Sequence, residues 1–250
     1  MSNEITNELP AHLQAQETGP IELGLVPQWS YSALKVYEEC PYRTYIAKVR
    51  KVKEPSSPAA DRGTQIHQEA EDYVKGELGE LPTSLKKFKS SFEELRELFA
   101  EAKVELEGEW GFTIDWGVTG WLSPDTWARI KLDALVNEDE TSARVIDYKS
   151  GKKFGNEISH AQQCLLYAIA TFLRYPHFEH VQTELWYIDK GETTTKTWSR
   201  EAAMVFLPGI YQRAITMTTA TRFDPKPSSS ACRWCSFKQG EEPECQWGVD

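Results

Sequence analysis

Midway along the chain, two runs alternate apolar and polar residues with a period of two: Ile130-Lys-Leu-Asp-Ala-Leu-Val136 and Val145-Ile-Asp-Tyr-Lys149. Successive side chains of a strand point to opposite faces, so both runs read as strands, near 127–137 and 143–149. On the first, Ile130, Leu132, Ala134 and Val136 are expected to face one way, and Lys131, Asp133 and Leu135 the other. On the second, Val145, Asp147 and Lys149 share a face. Each run sets a carboxylate in a strand interior, where a charge without compensation is costly. Pairing the two strands would bring Asp133 and Asp147 to one cation, with Lys149 beside it.

The other periodicities fill in the chain around this pair. Residues 1–28 are polar, hold Pro10, Pro20 and Pro27, and show no periodicity, which predicts a flexible leader. Ser30 or Ser32 caps a helix to Cys40, and Pro41 opens a second through Ile46. A loop over Lys53–Ala60 leads to a helix capped by Asp61, with Ile66, Ala70, Tyr73 and Val74 along one side. Leu85 to Ala102 is amphipathic and helical. Lys103 to Trp110 alternates as a strand, with Glu105, Glu107 and Glu109 on its outer face. After the central strands, Gly151 to Asn156 turns into a helix over Ile158–Leu173. His180–Ile188 and Thr193–Trp198 form a hairpin around Asp189-Lys-Gly191, and Ser199 caps a last helix to about Thr219. This order predicts an α/β fold over 29–222, a mixed central β-sheet flanked by helices, followed by a Cys-rich segment over 223–250.

Composition changes this picture little but bounds its chemistry. The formal charge of −10 argues at first against a nucleic-acid partner. Residues 1–28, however, hold Glu4, Glu8, Glu17 and Glu22 and no Lys or Arg, so −4 of it sits in the leader. Positive charge clusters at Arg43 to Lys53, at Lys86 to Lys89 and at Lys149 to Lys153, and local patches set phosphate attraction. The start carries no basic segment followed by an apolar run, and the longest apolar stretch, Cys164 to Leu173, is too short for a bilayer. A cytoplasmic protein is expected (host cytoplasm if viral), with no membrane contact. In that reducing setting five cysteines are expected as ligands or buried thiols rather than disulfides.

Three further patterns accompany the central strands. In Arg62-Gly-Thr-Gln-Ile-His67-Gln-Glu-Ala-Glu71, His67 and Glu71 lie four apart on one helical face and can hydrogen-bond or share a metal. Gln163 and Tyr167 share a face of the helix after the second strand. An isolated Asp-x-Lys is commonly a surface ion pair, a lone helical His is commonly packed or exposed, and Gln163/Tyr167 alone would be a polar edge. The ordered set Gly63/His67/Glu71, Asp133, Asp147/Lys149, Gln163/Tyr167 resembles the PD-(D/E)XK nuclease superfamily, and within it the RecB-like branch, over roughly residues 30–245. The resemblance implies a restriction-endonuclease-like core in which His67, Asp133, Asp147 and the Tyr148 carbonyl hold Mg²⁺ or Mn²⁺. It implies that Lys149 orients or activates the attacking water and that Gln163 and Tyr167 position the scissile strand. Glu71 would orient His67, and Arg62 and Lys152 would contact phosphate.

Cys232-Arg-Trp-Cys235 and Cys245, with Cys40 far upstream, make a four-thiol set that suits Zn²⁺ or an iron–sulfur cluster. Cys164 falls on an apolar stripe and reads as core. One cysteine before the core and three after it resembles the arrangement in the CRISPR-associated adaptation exonucleases and the AddB nuclease subunit. That resemblance implies a [4Fe–4S] cluster, with Zn²⁺ as the alternative. The implied activity is a metal-dependent DNA exonuclease acting on single-stranded or duplex ends, for recombination, repair or CRISPR-type processing. Nothing resembles an appended specificity domain, which favours an exonuclease over a sequence-specific endonuclease. No phosphate-binding loop of an ATP motor is present, so unwinding of a duplex would come from a helicase, recombinase or CRISPR-type partner or from fraying. The alternatives are a non-catalytic DNA-end-binding subunit with a structural cluster, and an RNA-directed nuclease.

Overall fold

The alternating runs form the middle of a six-stranded sheet in the computed structural model, which describes residues 21–151, 153–238 and 244–250. Residues 1–20 of the expected leader, and Lys152, lie outside the described residues. The strands are β1 (Val104–Phe112), β2 (Val118–Thr119), β3 (Ala128–Asn137), β4 (Ser142–Lys149), β5 (His180–Tyr187) and β6 (Glu192–Ser199), in spatial order β2-β1-β3-β4-β5-β6. All neighbours are antiparallel except β4 and β5. A parallel pair needs a crossover, and the helix Glu157–Arg174 provides it.

The helices are α1 (Tyr31–Glu39), α2 (Pro41–Thr44), α3 (Pro58–Lys75), α4 (Lys89–Ala100), α5 (Glu157–Arg174), α6 (Arg200–Met204), α7 (Leu207–Thr218) and α8 (Ser229–Arg233). Ser30 caps α1, its Oγ accepting from the Ala33 N–H. The cap of α3 is Ser57, with Pro58 in the first turn, and not Asp61 as the polar pattern suggested. Proline's missing N–H costs nothing there, so the helix begins four residues earlier. The expected final helix is two helices. Pro208 cannot donate to Met204, four residues back, and its ring crowds that carbonyl, so α6 stops at Met204 and α7 restarts at Leu207.

Helices cover both faces of the sheet. One core holds Leu34 of α1, Leu166, Ile169 and Phe172 of α5, and Ala214 and Met217 of α7. The other holds Ile66, Ala70 and Tyr73 of α3 and Phe92 and Leu95 of α4, packed on Ile146, Tyr148 and Trp186. The alternation on β3 is not continuous. Ile130 and Leu132 enter the first core, but Ala134 and Val136 enter the second. On β1, likewise, Trp110 and Phe112 enter the first core while Val104 and Leu106 pack in the second. Both slips fall at one place. Leu106 pairs with Ala134 and Gly108 with Leu132, and between them Glu107 takes the left-handed φ of 50° opposite Asp133. The pairing register runs on unchanged across this point, so what slips is the alternation of faces, at the left-handed residue. That slip puts Glu107 and Asp133 on the α3 side.

Beyond α7 the chain returns to the start of the fold. Cys232 and Cys235 are buried, and together with Cys40 and Cys245 they line one small cavity. No helix among the described residues is long and apolar enough to cross a membrane.

Candidate active site

Strands β3 and β4 pair from Asn137↔Ala143 to Ala134↔Ile146 and then part. In the fork, a side chain replaces the backbone ladder: Asp133 Oδ2 accepts from the Tyr148 N–H at 2.6 Å. Its other oxygen, Oδ1, lies 3.0 Å from His67 Nδ1. His67 reaches this point because its neighbours Ile66 and Ala70 anchor α3 in the second core. The strand slip brings in Glu107. His67, Glu107 and Asp133 offer ligand atoms that all lie within 4.8 Å of one another, the one such group of three or more among the described residues. Lys131 Nζ sits 2.7 Å from Glu107 Oε2 and balances its charge.

Glu107 escaped the sequence reading, which set three glutamates on one outer face. Glu105 instead turns inward, accepting from Trp110 Nε1 at 2.8 Å and from the Tyr175 hydroxyl at 2.7 Å. One signal was present. A glycine inside a strand pattern marks a bulge or a close approach, and Gly108 follows Glu107 directly. A Cβ at Gly108 would come within 2.8 Å of Glu105 Oε1.

Asp147, Lys149, Gln163 and Tyr167 form a closed ring beside this set. Lys149 Nζ lies 2.6 Å from Asp147 Oδ2 and donates to Gln163 Oε1 at 2.9 Å. Gln163 Nε2 donates to the Tyr167 hydroxyl at 2.6 Å, and that hydroxyl donates to Asp147 Oδ1 at 2.9 Å. The four-residue spacing on α5 stacks Gln163 and Tyr167 on one face, as their sequence separation suggested. Buried Asp147 Oδ2 faces the Lys149 ammonium at 2.6 Å and keeps a further lone pair to offer. One imidazole nitrogen and two converging carboxylates make a donor set suited to a hard divalent cation; Asp147, expected to share it, stands beside this group of three rather than within it.

The charges shift one another. Burial works against a charged His67, but its hydrogen bond to Asp133 and the charges of Asp133, Asp147 and Glu107 outweigh it and raise its pKa. Burial, then the neighbouring Asp147, raises that of Asp133. Burial opposes the Lys149 ammonium, yet Asp147 more than compensates and holds its pKa above the ordinary lysine value. Burial also raises the Tyr148 and Tyr167 phenols.

Other residues singled out from the sequence lie differently. Glu71 bonds to Lys75 one turn on, not to His67. Arg62 pairs with Asp189 at the β5–β6 turn. Tyr148 meets the site through its backbone, while its ring packs against Phe92 and His67. A pair not foreseen is His160 on α5, whose Nδ1 lies 2.9 Å from the Tyr187 hydroxyl. Burial and the Lys149 charge lower the pKa of His160.

Among solved structures, the chain is similar to SSO0001, with 16% identity over 96% of this chain and 92% of that one, and a TM-score of 0.46. It is also similar to an alkaline exonuclease, LHK-Exo, from Laribacter hongkongensis, with 10% identity over 77% and 86% and a TM-score of 0.37. Likeness of this degree carries nothing about substrate. No curated protein sequence matches the chain. The sequence model of one family does, over residues 28–124 and 128–239, a span that takes in the fork, the ring and α3. The chain belongs to the PD-(D/E)XK nuclease superfamily.

Proposed function

We propose that this chain is a Mg²⁺- or Mn²⁺-dependent DNA exonuclease of the RecB-like branch, hydrolysing phosphodiester bonds at strand ends. The observation that carries the reading is the fork itself: His67, Glu107 and Asp133 within 4.8 Å of one another, beside the ring that fixes Asp147 and Lys149. Bound there, a divalent cation supplies Lewis acidity and positive charge for hydrolysis. The chain's own residues do the rest. Lys149, with its raised pKa, stays an ammonium at neutral pH and so acts as a fixed cation beside the scissile phosphate rather than as a proton acceptor. Gln163 and Tyr167 have their polar atoms committed to Lys149 and Asp147, which makes them positioning residues.

The non-catalytic alternative has no use for a buried carboxylate–ammonium pair and two carboxylates converging on one point, all of which cost stability without a ligand. The test is cleavage of end-labelled single- and double-stranded DNA and of RNA by wild type and Asp147→Ala, with Mg²⁺ or Mn²⁺. Cleavage of DNA by wild type alone, shortening from one end, is the expected result. DNA bound but left whole by both would favour the end-binding alternative, and internal cuts or preference for RNA would overturn the exonuclease assignment.

We also infer that Cys40, Cys232, Cys235 and Cys245 hold a [4Fe–4S] cluster that ties the start of the core to the C-terminal segment. Support comes from four thiols and no imidazole lining one cavity, and from the Lys226 N–H donating to Cys40 Sγ at 3.5 Å. Zinc at the same four thiols is the alternative. Iron and acid-labile sulfide in anaerobically purified protein would support the cluster; zinc in their place would refute it.

A further inference from the structure

An open cleft of about 370 Å³ lies beside the start of β3, away from the metal ligands. Its walls are residues 25–30, Ala33, Lys48, Lys51 and Arg129, three cations and no carboxylate in a chain of net charge −10. Neighbouring cations are neutralised, Arg50 by Glu244 and Lys131 by Glu107, whereas Lys48, Lys51 and Arg129 enter no ion pair among the described residues.

The local backbone is bent to present these charges. Lys48 belongs to a π-helical turn over Tyr45–Val49, an irregularity that concentrates at functional sites. Lys51 has a φ of 60°, a left-handed conformation that a lysine adopts only at a cost. The Arg129 guanidinium is aimed by its Nε, which donates to the Trp121 carbonyl at 3.0 Å, and by stacking over the Trp121 ring. Ser30 opens α1 into the same cleft, adding the partial positive charge of a helix N-terminus. Cations set by strained or pinned backbone, without anionic partners, are what an anion site requires.

The cleft is fixed to the strand that carries the fork. Trp29 donates its N–H to the Trp127 carbonyl at 2.9 Å and accepts from the Arg129 N–H at 2.9 Å. Arg129, Lys131 and Asp133 alternate onto the α3 side of β3, since the slip comes only after Leu132. Four residues of strand place the cleft about 14 Å from Asp133. We propose that Lys48, Lys51 and Arg129 grip the phosphodiester backbone of the substrate strand a few nucleotides from the scissile bond, so that the cleft sets which part of the strand lies over the fork. This rests on the nuclease reading for the identity of the anion.

The test measures equilibrium binding of a fluorescent oligothymidylate to the full chain in EDTA, as a function of salt. Each single-strand phosphate contact contributes about 0.7 to the slope of log K against log salt. Lys48→Ala/Lys51→Ala is expected to flatten that slope by about 1.4, which is about a 25-fold loss of affinity at 0.1 M salt. Lys51→Gly, which keeps the left-handed backbone at less cost, is expected to flatten it by about 0.7 without lowering the melting temperature. Hydrolysis of bis(p-nitrophenyl) phosphate with Mn²⁺, too small to reach the cleft, is expected to be unchanged in both variants. An unchanged salt slope in both variants would overturn the proposal. A wild type that binds with the expected slope yet, given Mn²⁺, hydrolyses neither bis(p-nitrophenyl) phosphate nor the oligothymidylate would overturn the nuclease reading instead.

Discussion

Tyr167→Phe removes one oxygen and leaves the volume of a buried side chain almost intact. In the ring, that hydroxyl donates to Asp147 Oδ1 at 2.9 Å and accepts from Gln163 Nε2 at 2.6 Å. Its loss leaves Oδ1 of a carboxylate only 3% exposed without a donor, while Lys149 still holds the other oxygen. A hydrogen bond to a charged group contributes about 1.5–3 kcal/mol, and the remaining ion pair keeps the cost near the lower half of that range. For a chain of this size, about 2 kcal/mol corresponds to a melting temperature lower by about 4–8 °C. Groups that orient a metal-site carboxylate are worth about 10–100-fold in activity. Because Tyr167 touches Asp147 and Gln163, the fall is expected in kcat, with KM steady. Thermal unfolding and steady-state cleavage of labelled DNA measure both. A rise in KM at constant kcat would mean the hydroxyl touches the substrate, and no change in either would refute the ring as a positioning device.

Lys149→Ala is expected to abolish cleavage while circular dichroism stays that of wild type, and Lys149→Arg to restore some activity if the residue serves as a cation; retained activity in the alanine variant would be inconsistent with the site. The pH dependence follows from His67 and Asp133, both raised in the metal-free protein. A raised His67 contributes stability that is fully present below its unfolded value of about 6.5 and is lost as pH climbs through the higher folded value. A raised Asp133 weakens the fold in the same direction, as its buried carboxylate ionises. Metal ions need both groups deprotonated, so Mn²⁺ affinity should climb with pH across that window; calorimetry showing affinity flat or falling there would contradict the assignment. Cys232→Ser should lose iron and colour and lower the thermal midpoint while Mn²⁺ still binds at the fork; full iron content in this variant would remove Cys232 from the cluster.

Much of the site was legible because it is local. Asp147 and Lys149 two apart on a strand, and Gln163 and Tyr167 four apart on a helix, are fixed by the repeat of each element. His67 and Asp133 meet as their order suggested. What the sequence hid depends on where a regular repeat breaks. An unbroken alternation on β1 sends Glu105, Glu107 and Glu109 to one side, and only the slip at Glu107 separates them. The same slip splits Ile130 and Leu132 from Ala134 and Val136. Glu71 had two partners at four-residue spacing, and the permanent charge of Lys75 wins it while Asp133 takes His67. The break before α7 was readable in principle from Pro208. The basic cleft was not, because its lysines and Arg129 are about 80 residues apart in sequence and meet only when residues 25–30 pack along β3.

Mn²⁺ titration of metal-stripped protein followed by electron paramagnetic resonance, in wild type, Asp133→Asn, Glu107→Gln and Lys149→Ala, tests the fork most directly. A divalent ion held in the fork predicts one tight site in wild type and in Lys149→Ala, lost in Asp133→Asn and at least 10-fold weaker in Glu107→Gln, on the order of what neighbouring groups contribute to metal affinity. Binding that ignores both Asp133→Asn and Glu107→Gln would contradict it.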